Sequence, residues 1–70
     1  MRFAIVIEKA GKNFSGYVPD LPGCVATGKT VVETETRLRE AISMHVAGLR
    51  EDGMDVPNGL SVVEYVDVAA

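Results

Sequence analysis

The chain has one cysteine, Cys24, and one histidine, His45, among its 70 residues. A single cysteine cannot form a disulfide within the chain, and one cysteine with one histidine is too few for a structural zinc site. No apolar run reaches the roughly 20 residues that cross a bilayer, and the apolar stretch at residues 3–7 is too short for a signal sequence. The sequence therefore predicts a cytoplasmic protein with no cofactor, no metal and no membrane contact.

The chain is also too small to bury a large core, and it has fewer basic than acidic residues. A domain of this size buries only about 60% of the surface of its unfolded chain, so self-association is the expected source of extra stability. We therefore expect a homodimer. The net charge is −3, from ten acidic and seven basic residues. This balance argues against direct binding of DNA, which needs a basic face, and fits a partner protein that is itself basic.

Hydrophobic patterning and turn residues predict a single α+β domain over residues 1–70. Four strands are expected at residues 2–8, 14–18, 24–27 and 61–68, with one helix at residues 31–51. The first strand is apolar on both faces, which is typical of a central strand. A right-handed crossover through the helix would then place the last strand parallel to the first. The predicted fold is β-β-β-α-β, with a mixed four-stranded sheet in the order 3-2-1-4 and the helix on one face.

The helix has recognisable signals at both ends. Thr30 and Glu33 have the spacing of a capping box, in which each side chain accepts a hydrogen bond from the other residue's backbone. Gly53 is the expected left-handed residue after the last turn. Between these ends runs one apolar stripe, made of Thr34, Leu38, Ala41, Ile42, His45 and Leu49.

The stretch from Gly23 to Thr30 fits two incompatible interpretations. It satisfies the phosphate-loop pattern G-x-x-x-x-G-K-[ST], which would indicate nucleotide binding. However, a phosphate loop follows a buried strand, and the residues before Gly23 include Pro19 and Pro22. The nucleotide-binding fold also needs several strand-helix-strand units. We therefore favour a turn, a short strand and a helix cap, with Lys29 exposed to solvent.

The remaining reactive side chains are better explained by packing or solvation than by catalysis. Cys24 is expected to be a small packed side chain, although His45 could approach it in space as a base. His45 itself is expected at the edge of the core. Asp20, Glu8 and Glu64 could be imagined as a metal cluster, but scattered solvated carboxylates are the better interpretation. We expect no enzymatic activity.

Three motifs carry a resemblance to a known family. They are Tyr17-Val18-Pro19-Asp20-Leu21-Pro22-Gly23-Cys24, Gly28-x-Thr30 and Arg39-Glu40-Ala41-Ile42-x-x-His45-x-x-Gly48-Leu49. Over about residues 1–68, the chain resembles the HicB antitoxin family. The resemblance implies a partial ribonuclease-H-like fold without ribonuclease activity. It also implies neutralisation of a small basic HicA-type toxin, an mRNA-cleaving enzyme.

The same resemblance suggests where the toxin binds. The surface should include the turn with Asp20, Leu21, Pro22 and Cys24, or the exposed edge of the sheet. The alternative function is an orphan homodimeric module that binds another protein or an RNA. Many family members continue into a DNA-binding domain, and since this sequence ends at Ala70 we expect no such C-terminal domain. Thr34 and Leu38 replace the small residues usual on the helix face, so the spacing between helix and sheet is expected to differ.

Overall fold

The computed structural model describes residues 1–69, which form three strands and one helix. They are β1 (Val6–Ala10), β2 (Asn13–Tyr17), β3 (Val25–Gly28) and α1 (Val31–Glu51). The strands make one antiparallel sheet in the order β1-β2-β3, and α1 packs on it. The predicted α+β class is confirmed. Among these residues, no helix is both long enough and apolar enough to span a membrane.

Among residues 1–69, the predicted fourth strand and the order 3-2-1-4 are not formed. Residues 54–69 contain neither helix nor strand, and β1 begins at Val6 rather than at residue 2. Within residues 1–69, β1 pairs only with β2, so it is an edge strand and not the central strand expected from its sequence. The C-terminal segment instead starts beside the turn that follows β2, where Ser61 is hydrogen-bonded to Asp20. Gly59, just before it, packs against the backbone of Arg2 and Phe3, so the chain passes the residues that lead into β1 without forming a strand there.

Two glycines set the spacing between helix and sheet. A Cβ on Gly16 would lie 2.5 Å from Leu38 Cδ1, and one on Gly28 would lie 2.6 Å from Thr34 Oγ1. Both distances are too short for a real side chain, so the helix can approach the sheet this closely only over glycine. Thr34 and Leu38 are both fully buried. The larger residues on the helix face are thus accommodated by glycines on the strands. At Gly16 the strand backbone lies close to the helix, and the pairing register there contains no bulge.

The helix begins and ends where the sequence predicts. The hydroxyl of Thr30 accepts a hydrogen bond from Glu33 N–H at 3.0 Å, as expected for a helix cap. The Glu33 carboxylate, however, accepts from Lys29 N–H at 3.1 Å instead of from Thr30. The buried Thr34 hydroxyl donates to the Thr30 carbonyl at 2.8 Å. At the other end, Gly53 has the predicted left-handed backbone, with φ of 68°.

The core combines helix residues with residues from the connection between β2 and β3. Its buried apolar members are Val18, Leu21, Cys24, Leu38 and Val46. On the helix stripe, Ala41, Ile42, His45 and Leu49 are only half-buried, and Val46 lies deeper than they do. Because Leu21 and Cys24 are buried, the β2–β3 connection is anchored in the core. This anchoring fixes the shape of the connection.

Candidate functional site

The β2–β3 connection, Val18 to Cys24, consists of two consecutive β-turns, here called the double turn. Leu21 N–H donates to the Val18 carbonyl at 3.0 Å, which closes the first turn. Cys24 N–H donates to the Leu21 carbonyl at 3.0 Å, which closes the second. Val18 N–H then donates to the Cys24 carbonyl at 3.1 Å and joins the two ends. The connection is therefore internally hydrogen-bonded and rigid.

The sequence of the double turn matches its geometry position by position. Pro19 and Pro22 each occupy the second position of a turn, where the fixed φ of proline is favourable. Gly23 takes the third position of the second turn with φ of 83°, which a type II turn requires and which other residues rarely adopt. The first of the three motifs that carry the resemblance, at residues 17–24, thus has the residues that two consecutive turns require.

The double turn separates the four predicted contact residues into an inner and an outer pair. Leu21 is fully buried and Cys24 is nearly so, and both belong to the core. Asp20 is half-buried and Pro22 is exposed. The side chains of Leu21 and Cys24 are therefore unavailable on the surface and act by holding the turn in shape. Toxin contact by the double turn with Asp20, Leu21, Pro22 and Cys24 stays a prediction, in which Asp20 and Pro22 supply the side chains at the surface.

Asp20 also ties the double turn to the C-terminal segment. Its two carboxylate oxygens accept hydrogen bonds from Ser61 N–H at 3.0 Å and from the Ser61 hydroxyl at 2.9 Å. Hydrogen bonds to a carboxylate are among the stronger ones in proteins. The contact joins residues 41 positions apart in sequence and fixes where the last segment leaves the domain.

The face of the sheet that points away from α1 carries a row of apolar side chains next to the double turn. Val6 pairs directly with Tyr17, and Tyr17 pairs directly with Val25 across the three strands. Gly16 meets the helix, so by alternation its neighbour Tyr17 points to the opposite face. Tyr17 is 43% exposed and Val25 is 63% exposed. We call this face, with Val6, Tyr17 and Val25, the open face.

The neighbouring row of the open face is polar and carries one negative charge. Glu8 pairs with Ser15, and Ser15 pairs with Thr27. Glu8 thus places a carboxylate on one side of the apolar row, and Asp20 lies in the double turn that follows Tyr17, with its carboxylate hydrogen-bonded to Ser61. The predicted sites did not include Tyr17 or Val25. Strand alternation could have identified them: if Gly16 is placed on the face of the sheet that packs against α1, its neighbour Tyr17 and the paired Val25 must lie on the opposite face.

The geometry of Gly23 to Thr30 differs from that of a phosphate loop. Residues Val25–Gly28 are paired strand β3, not an open loop. Two amide groups near the start of the helix are already used, since Lys29 N–H donates to Glu33 and Glu33 N–H donates to Thr30. A negatively charged side chain, that of Glu33, thus already lies at the helix N-terminus, where it would repel a phosphate. The preference for a turn, a strand and a cap agrees with this arrangement.

The other reactive side chains lie apart from the open face. Cys24 is buried, and this burial raises the pKa of its thiol above the ordinary value. Because the thiolate is the nucleophilic form, the raised pKa makes Cys24 less reactive. Among residues 1–69, no three histidine, cysteine or carboxylate side chains converge into a metal site, so Asp20, Glu8 and Glu64 do not form the cluster considered above.

Comparison with known proteins identifies the family. The family model for the "HicB_like antitoxin of bacterial toxin-antitoxin system" matches residues 3–69. The chain belongs to the HicB-like antitoxin family. It is 41% identical over 70 residues to a "UPF0150 protein" of Archaeoglobus fulgidus, covering 91% of this chain and 94% of that one. It is 38% identical over 65 residues to a "UPF0150 protein" of Helicobacter pylori, covering 91% and 90% of the two chains.

A phage relative of this HicB-like chain is longer. The "Uncharacterized 14.9 kDa protein in rep-hol intergenic region" of Haemophilus phage HP1 is 36% identical over 67 residues. The match covers 96% of the present chain but only 50% of the phage protein. The chain therefore spans half the length of this relative and about nine-tenths of the two UPF0150 proteins. No solved structure matches the chain significantly.

Proposed function

We propose that this HicB-like chain is an antitoxin that binds and neutralises a small basic HicA-type toxin, without chemistry of its own. The family match over residues 3–69 carries the proposal, because it places nearly the whole chain in an antitoxin family. The toxin would bind on the open face and the outer side of the double turn. The antitoxin acts there by covering the toxin's active surface in the cytoplasm.

The composition of the open face supports this assignment of the contact surface. Tyr17 and Val25 offer adjacent exposed apolar side chains, and aromatic residues are enriched at the centres of protein interfaces. Glu8 adds a negative charge on the same face, Asp20 adds another in the adjoining double turn, and the whole chain has a net charge of −3. A basic toxin would be attracted by the charges and held by burial of the apolar row. The rigid double turn keeps this surface ordered before binding, which lowers the entropic cost of association.

The test is co-expression with the small basic reading frame beside the gene. We expect the wild-type chain to restore growth to cells that express the toxin, and to co-purify with it. Val25→Lys puts a positive charge on the open face, so affinity for the toxin should fall at least tenfold. The matched control is Val32→Lys, which adds the same charge at a helix position that is 72% exposed. This control should bind like the wild type.

The two parts of the proposal fail in different ways. If the wild-type chain neither restores growth nor co-purifies, the antitoxin function is wrong for this partner. If the wild type restores growth and Val25→Lys does so equally well, the function stands and the contact surface is elsewhere. Circular dichroism of both variants checks that the fold is intact, since both substitutions are at exposed positions.

A further inference from the structure

The connector after the helix contains the pair Asn58-Gly59, the only asparagine–glycine step in the sequence. Such a pair usually marks a tight turn that needs a positive φ. Here neither residue has a positive φ, so the pair does not serve a turn. The structure gives a different reason for the glycine. A Cβ at this position would overlap the carbonyl oxygen of Arg2, so only glycine lets the connector pass this close to the N-terminal residues.

The surroundings of Asn58 leave it open to a reaction with its own neighbour. Asn58, Gly59 and Leu60 are exposed, and residues 54–69 form neither helix nor strand. Within residues 1–69, neither the Asn58 side chain nor the Gly59 N–H takes part in a hydrogen bond. Glycine also has no side chain to obstruct the approach of its backbone nitrogen to the Asn58 side chain. The backbone nitrogen and the side-chain carbonyl carbon are therefore adjacent, unrestrained and reachable by water.

We propose that Asn58 is a site of spontaneous deamidation, which converts it to aspartate or isoaspartate with water as the only co-reactant. The deprotonated backbone nitrogen of Gly59 attacks Cγ of Asn58, the new bond closes a succinimide ring, and the side-chain nitrogen leaves as ammonia. Water then opens the ring. If the bond from nitrogen to Cγ breaks, the product is aspartate. If the bond from nitrogen to the main-chain carbonyl carbon breaks, the product is isoaspartate, whose main chain runs through Cγ.

Isoaspartate at position 58 would break the fit of the connector. It adds one atom to the main chain immediately before Gly59, which has no space beside Arg2 for even a methyl group. Two residues later, Ser61 is held by the carboxylate of Asp20 through hydrogen bonds of 3.0 and 2.9 Å. A shift of Gly59 therefore moves Ser61 away from Asp20, and residues 61–68 lose their attachment to the double turn. This one-way release of the C-terminal segment does not depend on toxin binding.

The chain supplies two internal controls for the reactivity of Asn58. Asn13 is the other asparagine, and it lies in the paired strand β2 before the bulky Phe14. The step Asp52-Gly53 also has a glycine, but Gly53 N–H donates to a helix carbonyl at 3.1 Å. Both sites must open before a ring can close, so folding should slow both of them.

The first test follows the reaction by peptide mapping and mass spectrometry at pH 8. Asn58 should convert with isoaspartate among the products, and its rate in the native chain should be within tenfold of the rate in guanidinium chloride, because the site is already accessible. Asn13 and Asp52 should each react at least tenfold more slowly in the native chain than when unfolded. Asn58→Gln should stay unconverted, because its longer side chain closes a less favourable ring. A native rate at Asn58 more than tenfold below the unfolded rate would overturn the assignment of the site.

The second test separates main-chain length from charge. The isoaspartate form, purified from aged protein, and freshly prepared Asn58→Asp carry the same added charge, but only the first has the longer main chain. Hydrogen exchange of the Ser61 amide should be at least tenfold faster in the isoaspartate form than in the wild type, and unchanged in Asn58→Asp. Circular dichroism checks that the helix remains in both.

Two results of this second test would overturn the release of the C-terminal segment as described. Equal exchange of the Ser61 amide in the isoaspartate form and the wild type would show that the contact with Asp20 survives the modification. Fast exchange in Asn58→Asp would show that the added charge, and not the longer main chain, breaks the contact.

Discussion

Replacing Gly28 with alanine should disrupt the packing of helix on sheet more than the same change at Gly16. At Gly28, the new Cβ would lie 2.6 Å from Thr34 Oγ1 and 2.8 Å from the backbone nitrogen of Thr34. That backbone is fixed by the hydrogen bond from Thr34 N–H to the Thr30 carbonyl at 3.0 Å. At Gly16, the nearest atom is Leu38 Cδ1 at 2.5 Å, the end of a side chain that can rotate.

The magnitudes follow from overpacking, which typically costs about 1–3 kcal/mol. We expect Gly28→Ala to lower the free energy of unfolding by about 2–3 kcal/mol and Gly16→Ala by about 1 kcal/mol. A domain of 70 residues has roughly 4–10 kcal/mol in total, so the larger loss is a substantial fraction. Urea unfolding followed by circular dichroism measures both, with the same chain concentration throughout because self-association would shift the midpoints.

A double-mutant cycle separates this reasoning from a general sensitivity to alanine. Leu38→Ala removes the side chain that Gly16→Ala would strike, so these two changes should be non-additive by about 1 kcal/mol. The clash at Gly28 involves Thr34 instead, so Gly28→Ala and Leu38→Ala should add within about 0.5 kcal/mol. Equal costs at the two glycines, or coupling of Leu38 to Gly28 rather than to Gly16, would refute the reasoning.

The helix cap and the buried thiol give further predictions. Thr30→Ala removes the acceptor for Glu33 N–H and should cost about 1 kcal/mol of stability, measured by urea unfolding. Lys29→Ala keeps the backbone donor to Glu33 and should leave both stability and toxin affinity nearly unchanged. Cys24 has a raised pKa, so at pH 8 its thiol should react with Ellman's reagent far more slowly in the native protein than in urea. Its native rate should increase with pH as the thiolate fraction grows; equal rates in the two states would contradict its burial.

The sequence was sufficient to predict the features of the fold that depend only on residues close together in the chain. The helix occupies Val31–Glu51 as predicted, because Thr30 and Gly53 supply signals at its two ends that need no distant partner. The turn after β2 was likewise predictable from Pro19, Pro22 and Gly23. Each of these features is determined by backbone geometry within a few residues.

Features that depend on distant partners were not predictable in the same way. Residues 61–68 have the composition of a strand, but strand formation needs an edge to pair with, and composition does not say whether the same chain supplies it. The central position predicted for the first strand failed for the same reason. The sequence also did not show which residues of the double turn face the core. Asp20 and Leu21 are adjacent in the sequence, and only the turn geometry directs the side chain of Leu21 inward.

Inhibition of RNA cleavage tests the antitoxin proposal most directly. A purified HicA-type toxin would be mixed with increasing amounts of the folded chain, and cleavage of an RNA substrate would be followed over time. We predict that cleavage falls with added chain and stops near stoichiometric amounts, and that Val25→Lys requires at least tenfold more protein. Undiminished cleavage at a large excess of folded wild-type chain would contradict the proposal for that toxin.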